Sequence, residues 1–521
     1  MKTPNIIYEI AYANILEKMR KQSFIYIVLI IAIISIFFLP STNGKFGALS
    51  FDGYRGIYNS SWVGAVMAIL TSITISLFGF YLVNDSIERD NFTGVCKIIA
   101  SSGVEKSQYI FGKCFGNIII LTLLTLVTFF MGIIIFLIRN ESHAFILWEY
   151  VKPFLILTMP TILFISSLSI LFEVFNMNSG LWRMVYFVIW VYFLSLMLRP
   201  NNFFDVIGGS HILFQIAQDI KSIFSDYKNG FTVFGSISTI NTFVWNGFKI
   251  STIMLLSRLQ WVFISGVLLF FSTIKFDKFN EDSKIKIRRK CQTTNALDNS
   301  FLKRTGITSI NFSSYSKINF VNMVKEEIIL SLKGQKKWLY IIALALIILS
   351  FCMNLENSLL FLVPILWIIP ISVWSNMPVN EIKNNTYQIV YSTINYKPWS
   401  LLAKYIAGVI IALLMVIGIL VNLILSCTWQ YIYFIIIGAF FIPALSLFVG
   451  LWCNSEKLFE IIYIVIWYIG PINKVYGIDF TGSQIKFLSI NEIYIGLIYI
   501  TLSLVMILLA LFRGRIRKVL V

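Results

Sequence analysis

The residues of this chain that could do chemistry gather in two polar stretches, 84–116 and 376–408, each set between long apolar runs. In the first, Glu88 is followed five positions on by Thr93, then by Ser101-Ser102, Lys113 and Gly116. In the second, Glu381 is followed at the same interval by Thr386, then by Ser392-Thr393, Lys404 and Gly408. Carboxylate, hydroxyl and ammonium in this order suit helix ends and docking surfaces. An acid near the start of a short helix faces the positive end of its dipole. Thr93-Gly94 lets the chain bend where it leaves an apolar run.

Other chemistries find little support. The chain holds no GxxxxGK[ST], no GxGxxG opening a helix after a strand and no HExxH, so phosphate cradling and zinc hydrolysis lack their motifs. Cys96, Cys114, Cys291, Cys352, Cys427 and Cys453 form no CxxC and lie near no histidine, which gives neither a metal site nor a redox motif. Cys352 and Cys427 fall near the outer ends of their runs, and a disulfide between them stays open. His143 and His211 read as solvated loop residues. A membrane enzyme would draw on Asp205, His211, Asp219 and Asp226, whose spacing fits no recognisable site. A secondary carrier would need carboxylates at mid-membrane. Glu173, Glu456 and Glu460 instead sit at the ends of apolar runs, within reach of water, and Arg258 lies near the outer end of the sixth run.

The elements that must position the polar stretches follow from composition. Hydrophobic residues make up 58% of the 521 residues, charged residues 13%, and mean hydropathy is +0.80. A soluble chain would carry about 25% charged residues, so lipid is the solvent. There are about twelve apolar runs, and most approach the roughly 20 residues that span a bilayer as helix. They fall at 24–40, 62–83, 117–138, 153–174, 182–198, 252–274, 338–353, 358–374, 405–427, 431–452, 458–472 and 492–512. Continuous runs exclude barrel strands, which alternate. The first run has a long polar lead and no small-residue cleavage site, unlike a signal peptide. Most of the net charge of +17 falls on segments that share a side with both termini, which places both termini in the cytoplasm of a multi-pass cell-membrane protein. The basic residues are scattered over loops, which argues against nucleic-acid binding.

The layout occurs twice. A lead-in with helical periodicity (IIYEIAYANILEKMRKQ, then INFVNMVKEEIILSLKGQKK) ends in a basic cluster, Lys18, Arg20 and Lys21 or Lys333, Lys336 and Lys337. This describes an interfacial helix, the alternative being an extension of the first span. Two spans, the polar stretch, two spans, a short turn, a fifth span, an outer loop and a sixth span follow. Leu171-Phe172 precedes Asn178-Ser179 at the interval that separates Leu447-Phe448 from Asn454-Ser455. The expected fold is therefore an all-α integral membrane protein of two parallel six-helix repeats. Residues 1–274 form the first half, 275–316 a basic cytoplasmic linker of low order that can touch anionic lipid, and 317–521 the second half. The outer loop 199–251 is mixed in polarity and expected to be partly ordered. Its counterpart, about 473–491, is short.

These residues carry a family resemblance. Glu88, Arg89, Thr93, Gly94, Ala100, Ser101, Ser102, Gly112, Lys113 and Gly116, with Trp245-Asn246-Gly247 before the sixth span, resemble the membrane subunits of type-2 ABC transporters, mainly exporters. The resemblance covers nearly all of the first half and, more weakly, the second, where Ile382 stands for the arginine, Tyr387 for the glycine, and Pro398-Trp399 interrupt the loop. It implies that both polar stretches are short cytoplasmic coupling helices seated on a separate ABC ATPase, two copies of which bind ATP and Mg. The chain itself then carries no cofactor, no metal and no catalytic residue. Contact would fall to Glu88, Arg89, Thr93, Gly94, Ser101, Ser102 and Lys113, and to Glu381, Thr386, Ser392 and Lys404. Alternating access would open a cavity between the second and fifth spans, where Phe78, Phe80, Tyr81, Trp182, Tyr186 and Trp190 are candidate lining residues. An uncharged aromatic cavity suits an amphipathic or hydrophobic compound or peptide, such as a toxin, an antimicrobial or a lipid-like molecule.

Overall fold

A computed structural model describes residues 6–41, 46–139, 141, 144–177, 180–224, 227, 230–236, 241–276, 320–333, 335, 337–384, 386, 396–472, 479–481 and 490–519. The chain divides into two units, Met1–Thr308 and Ser309–Val521. The expected linker 275–316 lies almost wholly outside the described residues.

The protein is an all-α, multi-pass membrane protein. Among the described residues, seven helical stretches are long and apolar enough to cross a membrane: Ser60–Asn91, Lys106–Arg139, Leu147–Val174, Thr252–Lys275, Ser358–Asn376, Trp429–Cys453 and Ile493–Gly514. Three bent helix pairs raise the total to as many as ten. All of the apolar runs noted above fall on helix. The run at 182–197 forms a shorter apolar helix than these stretches.

In unit one, α1 (Ile6–Met19) turns by 76° into α2 (Gln22–Phe38). The break makes the lead-in a separate helix rather than a straight extension of the first span. Strands β1 (Phe46–Ser50) and β2 (Tyr54–Gly56) follow. The second span runs through α3 (Ser60–Thr74), a π-helical turn at Ile75–Gly79 and α4 (Phe80–Val83). The polar stretch holds α5 (Ser86–Thr93) and α6 (Val95–Ser101). Next come α7 (Lys106–Arg139), α8 (Leu147–Pro153), a π-helical turn at Phe154–Thr158, α9 (Met159–Val174) and α10 (Gly180–Met197). The outer loop contributes α11 (Gly209–Ile223), β3 (Thr232–Ser236) and β4 (Asn241–Phe243) before α12 (Thr252–Lys275).

Helix α3 is buried along almost its whole length, as expected of an apolar helix surrounded by others. Asn59 starts it by accepting from the Trp62 amide at 2.8 Å. Gly56 lets the Trp62 ring close in, since a Cβ at Gly56 would lie 2.3 Å from the indole. Strands of the outer loop pair with the strands that precede α3. β1 pairs antiparallel with β3 in the register Leu49↔Val233, and β2 pairs parallel with β4 in the register Tyr54↔Asn241.

In unit two, α13 (Phe320–Lys333) turns by 109° into α14 (Lys337–Cys352). The second span is α15 (Leu355–Asn357), a π-helical turn at Ser358–Leu362, α16 (Val363–Ile368) and α17 (Ile371–Asn376). The short α18 (Asn380–Lys383) precedes the bent pair α19 (Tyr396–Met415) and α20 (Ile417–Leu425). Then come α21 (Trp429–Cys453), α22 (Glu456–Trp467), a π-helical turn at Tyr468–Ile472 and α23 (Ile490–Val519). Cys352 and Cys427 are both free and exposed, so no disulfide joins them.

Candidate functional site

The first polar stretch is fastened to its neighbours by a buried network of charges and amides. Helix α4 ends at Val83, and α5 begins three residues later. Its N-terminus is capped by a carboxylate from the fourth span. Glu173 on α9 accepts from the Ile87 amide at 2.5 Å and from the Ser86 hydroxyl at 3.1 Å. A carboxylate at this position satisfies otherwise unpaired N–H groups and favours the helix dipole. Glu173 is closed to water, as is Glu460 of unit two, contrary to the expectation that both reach solvent.

Lys113 on α7 lies 2.7 Å from the Asp90 carboxylate on α5 and donates to the Ser86 carbonyl at 3.1 Å. The Tyr109 hydroxyl donates to the same carboxylate at 2.5 Å. The lead-in enters from the other side. Asn14 donates to the Lys113 carbonyl at 3.2 Å and to the Asn117 side-chain oxygen at 3.1 Å. Lys18 donates to the Val83 carbonyl at 2.8 Å and to Asn117 at 3.1 Å. Lys21 pairs with Asp85 at 3.0 Å, and Arg89 reaches back to Glu17 at 2.9 Å. Burial pushes the Glu17 carboxyl above its usual range, opposed first by Arg89 and then by Lys113.

The loop is thus one body with α1, α7 and α9. Its outer face stays free. Gly94, at φ +78°, ends α5 in the left-handed conformation and re-aims the chain into α6. Glu88, Thr93, Val95, Lys97 and Ile98 are exposed, Ile98 at 69%. Thr93 bonds the Arg89 carbonyl, while Ser101 and Ser102 bond carbonyls within α6. These hydroxyls close helix turns.

In unit two, Lys404 on α19 pairs with Glu381 on α18 at 2.6 Å. Thr386 bonds the Glu381 carbonyl through its amide and hydroxyl. Lys383 pairs with Glu456 at 3.1 Å, and Ser375 donates to Glu460 at 3.0 Å. Ser392, Thr393 and Tyr387 lie outside the described residues, as do Asn178 and Ser179. Lys404 follows Glu381 by 23 positions, the interval that also separates Lys113 from Asp90, and in each unit the acid pairs with that lysine.

The aromatic candidates of the second span and of α10, the expected fifth span, meet. The Phe80 and Tyr186 rings stack at 3.5 Å, the Trp190 indole donates to the Ser76 hydroxyl at 2.9 Å, and Tyr81 donates to the Arg183 carbonyl at 2.9 Å. Tyr186 also donates to the Ser76 carbonyl. Phe80, Tyr81 and Tyr186 are wholly enclosed, Phe78 and Trp190 are buried, and Trp182 is half-buried. In this conformation the rings fill the space between the two spans. Tyr463 and Trp467, at the same four-residue spacing, donate to the Trp367 and Pro364 carbonyls, each at 2.9 Å.

The outer-loop acids and histidine have local structural partners. Both Asp205 oxygens accept backbone amides, from Ile207 and Ser210, at the start of α11. Asp219 accepts from the Trp245 indole at 2.9 Å. His211 is buried, not solvated, with Nδ1 3.3 Å from Asn201 and Nε2 3.4 Å from Ser257. Burial, and then the Arg258 guanidinium, hold it below its usual pKa. Arg258 donates to the Val206 and Asp205 carbonyls. Asp226 and His143 lie outside the described residues. Among the described residues no three His, Cys, Asp or Glu side chains are placed to hold a metal.

Asn14, Glu17, Asp90 and Asn117 carry the network without having stood out in the sequence, and Lys18 and Glu173 join it from positions expected to face lipid headgroups and water. Two signals point to some of them: Asn14 and Lys18 one turn apart on the lead-in helix, and the acid-to-lysine interval shared by Asp90–Lys113 and Glu381–Lys404. Comparison of the chain with family models, with curated proteins and with solved structures gives no match.

Proposed function

We propose that this protein is the membrane-spanning permease of an ATP-driven exporter of the type-2 ABC class, powered by separate ATPase subunits. The observation that carries this is the acid–lysine pair that joins the loop after the second span to the third span in each unit, Asp90–Lys113 and Glu381–Lys404. A loop clamped to the membrane helices on one side and exposed on the other passes force from a partner into the spans. In the first unit Glu88, Val95, Lys97 and Ile98 form the contact face. Arg89 and Lys113 transmit the displacement to α1 and α7.

The matching pairs, and the matching tyrosine–tryptophan contacts of the fifth span, support two parallel six-span repeats with both termini in the cytoplasm. ATP-driven approach of the two partner subunits draws the loops inward and parts the second from the fifth span. The aromatic contact of Phe80, Tyr81, Tyr186 and Trp190 is then the closed state of the path. An aromatic, uncharged path favours an amphipathic or hydrophobic cargo, such as a peptide or a lipid-like compound. The engaged roles of Asp205, His211 and Asp219 speak against a lipid-processing enzyme built on that loop.

Purification of the tagged full-length chain from its native membrane tests this. A P-loop ATPase held through the purification is the expected outcome. A chain that purifies alone under mild detergent sinks the proposal.

A further inference from the structure

Unit two lacks side chains that close the corresponding place in unit one. In unit one the Lys18 ammonium sits between α1, the end of α4 and α7, bonded to Val83 and Asn117 and 3.8 Å from Asp85. The register of the two units follows from their paired charges. Asn117 lies four positions after Lys113, as Gly408 does after Lys404, and Asp85 lies five before Asp90, as Asn376 does before Glu381. On the lead-ins, Ala11 and Val324 are the buried apolar residues. Glu327 and Ser331 then follow Val324 by the intervals at which Asn14 and Lys18 follow Ala11. Unit two therefore has Ser331 for Lys18, Gly408 for Asn117 and Glu327 for Asn14.

A cavity of about 440 Å³ opens there, bordered by Glu327, Ser331, Asn376, Asn380, Glu381 and Lys404. Its charges do not balance. Lys404 is taken by Glu381 at 2.6 Å, and Lys383 by Glu456 at 3.1 Å. The Glu327 carboxylate has no hydrogen bond or ion pair among the described residues, although it lines the cavity. Asn376 uses its amide nitrogen on the Ser372 carbonyl at 2.6 Å, which leaves its oxygen to accept. An anion would meet two carboxylates and no spare ammonium. A hydrogen-bonding cation would meet a carboxylate and amide oxygens, in a volume far larger than one water.

We propose that this cavity binds an ammonium or guanidinium group, which takes the place that Lys18 fills from within in unit one. The group comes from a free amine or from a basic side chain of a docking partner. Either source makes unit two the ligand-dependent half and unit one the self-closed half. Burial raises the Glu327 carboxyl above its usual range, with Lys404 opposing and Glu381 reinforcing, so an arriving cation also favours its ionised form. The site does not depend on the exporter proposal, because it needs only unit two.

Thermal unfolding of the full-length chain in lipid nanodiscs is read against n-butylammonium, tetramethylammonium and Nα-acetyl-lysine amide. Butylammonium should raise Tm saturably, by at least about 2 °C. Tetramethylammonium, which donates no hydrogen bond, should not. Glu327→Gln should abolish the response. Ser331→Lys should raise the starting Tm and leave nothing for butylammonium to add. If acetyl-lysine amide acts at lower concentration than butylammonium, the source is a partner side chain; the reverse order points to a free amine. No shift in the unaltered chain, an equal shift with tetramethylammonium, or an undiminished shift in Glu327→Gln overturns the proposal. If Ser331→Lys fails to fold, the Glu327→Gln comparison still decides.

Discussion

The Lys113 ammonium and the Asp90 carboxylate lie 2.7 Å apart with both side chains almost closed to water, and so they bind the loop after the second span to the third span. Lys404 and Glu381 repeat the pair at 2.6 Å in the second unit. Breaking a buried pair by removing one partner costs about 3–5 kcal/mol, because the other charge is left uncompensated. Lys113→Met should lower the unfolding free energy by that amount, and Asp90→Asn combined with Lys113→Met should recover most of it. Denaturation in detergent checks this. Equal losses in the single and double variants would place the cost elsewhere.

Gly94 separates a conformational effect from a packing effect. A Cβ there would meet nothing within 4 Å, yet φ is +78°. Gly94→Ala should therefore cost about 1–2 kcal/mol through backbone conformation alone. Gly103 is equally open but is not left-handed. Gly103→Ala should be neutral or slightly stabilising, by up to about 1 kcal/mol. The difference between the two variants in Tm is the measurement, and no difference would remove Gly94 as the bend between α5 and α6.

His211 gives the pH dependence a sign. Its folded pKa is depressed, so between that value and 6.5 the unfolded chain binds more protons than the folded one. Its contribution to stability is present above 6.5 and lost as pH falls through the folded pKa. The Tm of the chain should drop on acidification from pH 7.5 to pH 5, and the drop should shrink in His211→Gln. Arg258 and Asp205 face the same site, the first lowering and the second raising the His211 pKa. An identical drop in the variant would assign the titration to another group.

Ile98 is exposed at 69% and has no part in the buried network. Ile98→Asp should leave the unfolding free energy within about 0.5 kcal/mol of the unaltered chain's, as surface changes do. It should nonetheless weaken retention of the ATPase by tenfold or more, as expected when a central apolar contact is lost. Quantitative co-purification checks this. Full retention would move the contact face off α6.

Much of the fold was legible because lipid imposes a simple rule: backbone groups must be satisfied within helices, so apolar runs become helices. Each run read from the sequence lies on helix. Their number as membrane-crossing segments was less legible, since length and bending decide it and bends such as that after Met19 leave little mark on hydropathy. At the loop, residue types pointed to the correct stretch but not to the partner of each charge. Lys113 is visible in the sequence, but its partner Asp90 is not told apart from Glu88, because an acid inside a short helix looks the same whether it faces water or a lysine. Glu173 was read as solvated because it ends a span, but the N-terminus of α5 comes to meet it. Such pairings depend on contacts distant in sequence, which periodicity does not report.

The central claim is that this chain is the membrane half of an ATP-driven machine. Vanadate-sensitive ATP hydrolysis by the complex purified from native membranes through a tag on this chain tests it most directly. The account predicts hydrolysis that co-elutes with the chain and falls at least tenfold when Ile98→Asp chain is the bait. Hydrolysis absent from the unaltered preparation, or present at equal level with both baits, would contradict it.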